Sequence, residues 1–163
     1  MVTFRPMTED EYLGYQEYFI PDYAQEISSS YALSWDDSLA RAKQEITEYL
    51  PAGVKTPGHI LLSIVVGAGE AIQQVGYLWY KPDTIMRTVF IYDFHIFTAC
   101  QGQGLGKKAL HALEQDLREQ HFSQIRLRVA GDNARAQHVY KTRGFGVTGI
   151  NMSKNIIPSD EQA

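Results

Sequence analysis

Apolar and polar positions along this chain change period several times, and each change marks an element. Residues 2–7, "VTFRPM", alternate and predict a short strand ending at Pro6. Thr8 and Glu11 stand at capping-box spacing, and behind them Tyr12, Tyr15 and Phe19 fall on one helical face. Pro21 is expected to break that helix or to start a second one. Ser34 and Asp37 repeat the capping-box spacing ahead of Trp35, Leu39, Ala42, Ile46 and Leu50, until Pro51 and Gly53 stop the run. The branched apolar run "HILLSIVV" predicts a buried strand, "AIQQVGYLWYK" its antiparallel partner, and "TVFIYDFHIF" the next strand.

A helix is then predicted from Leu105 to about Gln120, with Leu105, Ala109, Leu113 and Leu117 on one face and Leu110 beside it. "SQIRLRVA" reads as a strand, Asn133 as the cap of a short helix closed by Gly144, and "GFGVTGINMSKNI" as a last strand or hairpin. This order predicts an α+β fold with a mostly antiparallel sheet. Parallel pairing can arise around the strand–helix–strand unit that contains Gln101.

Composition narrows the function. The chain has 163 residues, enough for one domain over residues 1–163 with a sizeable core, and no linker or repeat divides it. A net charge of −4 argues against a general nucleic-acid or anionic-membrane partner. The longest apolar run, from Ile60 to Val66, is too short to span a bilayer, and the N-terminus has no signal-peptide pattern. The single cysteine, Cys100, forms no internal disulfide; it is expected to be a small packing residue. A cytoplasmic location is expected. The five histidines show no metal-ligand spacing, so no metal is expected. The tail 158–163 is polar and expected to be flexible.

The segment "ACQGQGLGKKAL" places three glycines at alternate positions just where a helix begins. A helix start offers unpaired N–H groups and partial positive charge, and glycines let a phosphate approach the backbone. Lys107 and Lys108 add positive charge. A ligand-free glycine turn is the plain alternative. Two other phosphate motifs fail: a dinucleotide fingerprint starting at Gly102 or Gly104 ends on Lys107 or Ala109, and a Walker loop would need glycine at Gln101 and Ser or Thr at Lys108.

The run Gln101, Gly102, Gln103, Gly104, Leu105, Gly106 matches Gln/Arg-x-x-Gly-x-Gly/Ala. In order behind it come Asn133 at a helix start and Tyr140 ahead of Gly144 and Phe145. Together these motifs resemble the GCN5-related N-acetyltransferase (GNAT) family from about Ile60 to the end. The resemblance implies a mixed, mostly antiparallel sheet flanked by helices on both faces. It also implies acetyl-CoA as co-substrate and an amine acceptor, a small molecule or a peptide. The cofactor would meet Phe94, His95 and Ile96 on the strand, Gln101 to Lys107 in the loop, and Asn133, Ala136 and Tyr140 on the last helix. Backbone N–H groups near Ile96 would polarise the carbonyl where the strand loses its neighbour, and Tyr140 would protonate the departing sulfur.

The general base stays open: the resemblance implies a base on this strand, at positions that for some members match Phe90 and Tyr92 rather than Asp93, and a water-relayed base is a further alternative. In a regular strand Asp93 and His95 share one face, with Phe90, Tyr92 and Phe94 on the other, but a bulge would switch the parity. Asp93 is the only carboxylate on that strand, and either a base or a structural acid suits it. The N-terminal region, residues 1–55, matches the family's acceptor-binding part in layout. There Asp22, Glu26 and Trp35 are candidates for holding a cationic amine, against a solvated helix face with a core tryptophan. A non-catalytic acyl-CoA-binding domain and an interaction domain with an empty glycine turn remain as alternatives; a homodimer stays compatible.

Overall fold

The computed structural model describes residues 1–157; the tail expected to be flexible lies outside the described residues. Five strands form one sheet in chain order: β1 (Val2–Pro6), β2 (Ile60–Val66), β3 (Gln73–Asp83), β4 (Thr88–Ile96) and β5 (Gln124–Leu127). The first four pair antiparallel, and β4 pairs β5 parallel across the helix between them. Helices α1 (Glu9–Ser30) and α2 (Trp35–Tyr49) cover one face, and α3 (Leu105–Glu119) covers the other, followed by α4 (Ala134–Thr142).

The α1 start is held as its spacing predicts. Thr8 accepts from the Glu11 amide at 3.1 Å, and Glu11 accepts from the Thr8 amide at 3.0 Å. Glu11 also takes two bonds from Arg5, at 2.6 and 2.9 Å, and one from Ser63 at 3.0 Å, so β1, β2 and α1 are tied at one carboxylate. Those donors pull its pKa to about 2. At α2 only half a box forms: Ser34 accepts from the Asp37 amide at 3.1 Å without a return bond from Asp37.

Pro21 neither ends nor divides α1. Pro21 and Glu17 are both exposed, so water can meet the Glu17 carbonyl that has lost its helical donor. Tyr15 and Phe19 of α1 and Ile46 of α2 bury against Leu61, Tyr77 and Trp79. On the opposite face Ala109, Leu110, Leu113 and Leu117 bury against Leu78, Tyr80, Val89 and Ile91. Trp35 departs from the predicted apolar face of α2: it opens the helix and is 47% exposed. The last strand or hairpin is absent among the described residues, where 145–156 are irregular and Val147, Ile150 and Met152 are exposed. Gly144, Gly146 and Gly149 leave this segment few side chains with which to pack a strand.

Two irregularities shape β4. Trp79 opposes Asp93 while Tyr80 opposes Ile91, so Tyr92 is an extra residue, a bulge. Further along, Gly76 meets β4 so closely that a Cβ there would lie 2.0 Å from the His95 carbonyl oxygen.

Candidate active site

Four pieces meet at the C-terminal half of β4. The first is a gap. Pairing with β5 runs from Thr88–Gln124 to Ile91–Leu127 and stops, leaving Tyr92 to Ile96 without a strand neighbour on that side among the described residues. Phe97 donates its amide to Val75 of β3 at 2.8 Å. Since antiparallel ladders alternate, Ile96 and Phe94 turn their N–H and C=O away from β3, into the gap. The divergence expected near Ile96 is therefore present.

The second piece is the start of α3. Gly102 (φ +81°) and Gly104 (φ +75°) adopt the left-handed conformation that side chains disfavour. Gly104 is the N-cap and carries no side-chain cap. No hydrogen bond to a described residue engages the amides from Gly102 through Lys107. Gly102, Gln103, Gly104 and Lys107 are exposed, while Leu105 is half-buried against the core. A Cβ on Gly106 would lie 3.8–3.9 Å from Val139, Ile96 and Phe94, so the helix start sits directly against β4 and α4. Gln101 donates its side-chain amide to the Ile96 carbonyl at 2.8 Å and accepts from Arg135 at 2.8 Å.

The third piece is α4. Asn133 caps it, accepting from the Ala136 amide at 3.1 Å, so its side-chain oxygen already has a structural task. Tyr140 packs between Phe94 (ring centroids 6.5 Å apart) and Phe145 (5.5 Å). Burial and the nearby Asp93 charge raise its pKa and keep the phenol protonated.

The fourth piece is the carboxylate. The bulge at Tyr92 corrects the simple parity: Tyr92 and Phe90 lie on the α1–α2 side with Asp93 and His95, and Phe94 alone of the three aromatics faces the other way. Asp93 accepts from the Tyr15 hydroxyl (2.9 Å, to Oδ2) and the Tyr18 hydroxyl (3.2 Å, to Oδ1). Burial raises its pKa to about 7 against the opposing pull of those two donors, and the charges of Asp22 and Glu26 add to the rise. His95 is held neutral, burial lowering its pKa to about 4, with its ring stacked 3.9 Å from Tyr18.

Of the acceptor candidates, Asp22 and Glu26 line up on α1 near Asp93, and Glu26 is ion-paired with Arg128 just beyond β5. Burial and Glu26 raise the Asp22 pKa. Trp35 makes no ring contact with the tyrosines around Asp93. Tyr15, Tyr18, Arg128 and Arg135 carry no sequence motif; only the spacing of Tyr15 and Tyr18, one helical turn apart, signals a shared direction. Among the described residues no group of three or more His, Cys, Asp or Glu is placed to hold a metal ion. No helix among them is long and apolar enough to cross a membrane.

The sheet opens beside an uncapped, glycine-rich helix start, and unpaired amides at a helix start favour an anion. The sequence profile of the Acetyltransferase (GNAT) family matches residues 16–145. An uncharacterized N-acetyltransferase of Bacillus subtilis, YycN, is 32% identical over 95% of this chain and 99% of its own length. The crystal structure of YycN superposes with a TM-score of 0.88 at 31% identity, covering 97% of this chain and all of that one. A mycothiol acetyltransferase of Jonesia denitrificans is 28% identical over 72% of this chain and 37% of its own length. The PaiA N-acetyltransferase of Thermoplasma acidophilum, crystallised with coenzyme A, shares the fold (TM-score 0.66, 13% identity, 93% of each chain). This chain therefore belongs to the GNAT family and is an N-acetyltransferase.

Proposed function

We propose that the chain moves an acetyl group from acetyl-CoA to a cationic primary amine, by direct attack of the amine on the thioester. The observation that carries this reading is the contact between the bare start of α3 and the unpaired end of β4. The amides of 102–107 suit a diphosphate, and Lys107 adds positive charge. From there the gap between β4 and β5 offers the Phe94 and Ile96 backbone edges to an extended arm. The fit rests on this chain's own atoms: free donors at one end, and at the other a strand edge where Gln101 takes the Ile96 carbonyl and the Ile96 N–H has no partner among the described residues.

Each residue then has one task. Asp93 accepts the proton that the acceptor's ammonium must lose, directly or through water, and a pKa near 7 suits that duty at neutral pH. The Ile96 N–H polarises the thioester carbonyl in the gap. As the C–N bond forms and the C–S bond breaks, Tyr140 gives its proton to the leaving sulfur; the second proton, shed by the newly acylated nitrogen, returns through water to the phenolate, and the proton held by Asp93 passes to solvent. The two α1 tyrosines hold Asp93 in place, and His95 stacks on Tyr18. Residues 1–55 supply the acceptor wall through α1, where Asp22 and the Arg128-paired Glu26 favour a second positive charge on the acceptor.

The test is an amine panel with acetyl-CoA, read as free thiol. A diamine should turn over faster than an amine of equal length bearing a carboxylate, at low and at moderate salt. A faster carboxylate-bearing acceptor at both would remove the acceptor assignment. CoA binding without thiol release from any amine would favour the non-catalytic acyl-CoA-binding reading.

A further inference from the structure

Gln101 stands between two partners of fixed character. A guanidinium only donates, so Arg135, 2.8 Å away, requires the side-chain oxygen of Gln101 to face it. The NH2 group must then face the Ile96 carbonyl, which only accepts, also at 2.8 Å. The glutamine cannot flip without turning its oxygen on a carbonyl and its NH2 on a cation. Arg135 on α4 thus fixes the orientation of a side chain that starts the α3 loop, which in turn grips β4.

The place of that grip matters. Beyond Ile91, β4 has no ladder partner on the β5 side among the described residues. Among the described residues Gln101 supplies the one hydrogen bond to that edge of Ile96, taking the role of the missing strand. In an extended strand the N–H and C=O of one residue point the same way. Anchoring the Ile96 carbonyl therefore sets the direction of the Ile96 N–H beside it.

We propose that Arg135, acting through Gln101, is a positioning residue that aligns the Ile96 backbone N–H with the acyl carbonyl. The proposal rests on the acetyl-transfer reading above and adds to it a residue and a task. Arg135 touches no reacting atom in this account. It links α4 to the donor in the gap, so that loop, helix and strand edge are in register before an acyl group arrives.

Arg135 also lies beside the free amides of the loop, and a plain phosphate anchor is the rival role. The two separate kinetically. Positioning predicts that Arg135→Met lowers kcat at saturating acetyl-CoA by about tenfold, below the ~10²–10³-fold cost of deleting a carbonyl donor outright. Gln101→Met should do the same, the double variant should be no slower than either single one, and Arg135→Lys should recover most of the rate. A ketone analogue of acetyl-CoA, ¹³C-labelled at the carbonyl, should show a downfield shift on binding to wild type that shrinks in both Met variants. Melting curves confirm that each variant is folded. A rise in KM with kcat and the ¹³C shift unchanged would make Arg135 a phosphate anchor and overturn the proposal. Independent, multiplying losses in the double variant would also overturn it. Wild-type protein without amine-dependent turnover would overturn the acetyl-transfer reading itself and the proposal with it.

Discussion

The Tyr15 hydroxyl, fully buried under α1, donates to Asp93 of β4 at 2.9 Å across 78 positions of sequence. With Tyr18 on the other oxygen, the carboxylate is fixed by a helix rather than by its own strand. Burial, outweighing the pull of those two donors, gives Asp93 an unusual pH dependence. Its pKa is raised from 3.8 to about 7 on folding, so the folded state binds the extra proton between those values. Stability from this group is therefore present below about pH 4 and falls as pH rises through about 7. Asp93→Asn should flatten that decline, giving a melting temperature that changes less between pH 5 and 8 than in wild type. The same substitution should remove the limb of kcat/KM that rises through about pH 7. A wild-type profile flat from pH 5.5 to 8.5 would refute Asp93 as the base.

Tyr140 separates chemistry from packing. Its ring packs on Phe94 and Phe145, and its hydroxyl has no hydrogen-bond partner among the described residues. Tyr140→Phe keeps the ring contacts and should leave melting and CoA affinity nearly unchanged. Its kcat should fall by ~10²-fold or more, the usual scale of general-acid assistance. Turnover within about twofold of wild type, with chemistry shown to limit the rate, would exclude the acid role.

Gly76 tests how far the strand geometry supports the site. A Cβ there would sit 2.0 Å from the His95 carbonyl oxygen, and backbone has little room to give. Gly76→Ala should cost about 1–3 kcal/mol of stability, the scale of an overpacked site. It should also reduce activity by displacing Asp93, His95 and Ile96. Urea unfolding with an unchanged midpoint would show that β3 and β4 adjust freely.

Glu11 is a stability control far from the gap. Its carboxylate, held near pKa 2 chiefly by Arg5, contributes stability that is present above the unfolded value of about 4.5 and lost as pH falls through 2. Glu11→Ala should destabilise the protein by about 1–3 kcal/mol, since it removes the return half of the capping box and takes the acceptor from the buried Ser63 hydroxyl, which keeps only its bond from Gln74. The rate per folded molecule should stay within about twofold of wild type at pH 7.5. A tenfold fall in that rate would mean that β1 and α1 act on the site directly.

Much of this was legible before any coordinates. The glycine spacing, the Thr8–Glu11 box and the α3 stripe are local patterns, and local physics makes them. The order of elements followed from their periods. What stayed hidden depends on contacts between distant segments. The bulge at Tyr92 arises from register against β3, so no reading of β4 alone could put Tyr92 beside Asp93. Arg135 is an unremarkable basic residue until α4 is folded against Gln101. Trp35 had the spacing of a core residue, but it falls at the helix start where the partner helix no longer covers it. Pro21 misled because its cost is small when the orphaned carbonyl faces water.

The proposed anion site is tested by one substitution. CoA should raise the melting temperature of wild type, and Gly104→Asp should abolish the shift, because a carboxylate at the uncapped start of α3 would occupy and repel the phosphate position. Equal shifts would show that CoA binds elsewhere.

The proposed reaction joins an acetyl group to an amine at the β4–β5 gap. Its most direct measurement is stoichiometry: incubate the protein with isotopically labelled acetyl-CoA and a diamine, then quantify free CoA and label in the diamine together. The account predicts equal molar amounts of both, proportional to enzyme and time, with neither product above background when amine is omitted. Thiol release that is independent of amine, or label that never reaches the diamine or any other amine offered, would contradict it.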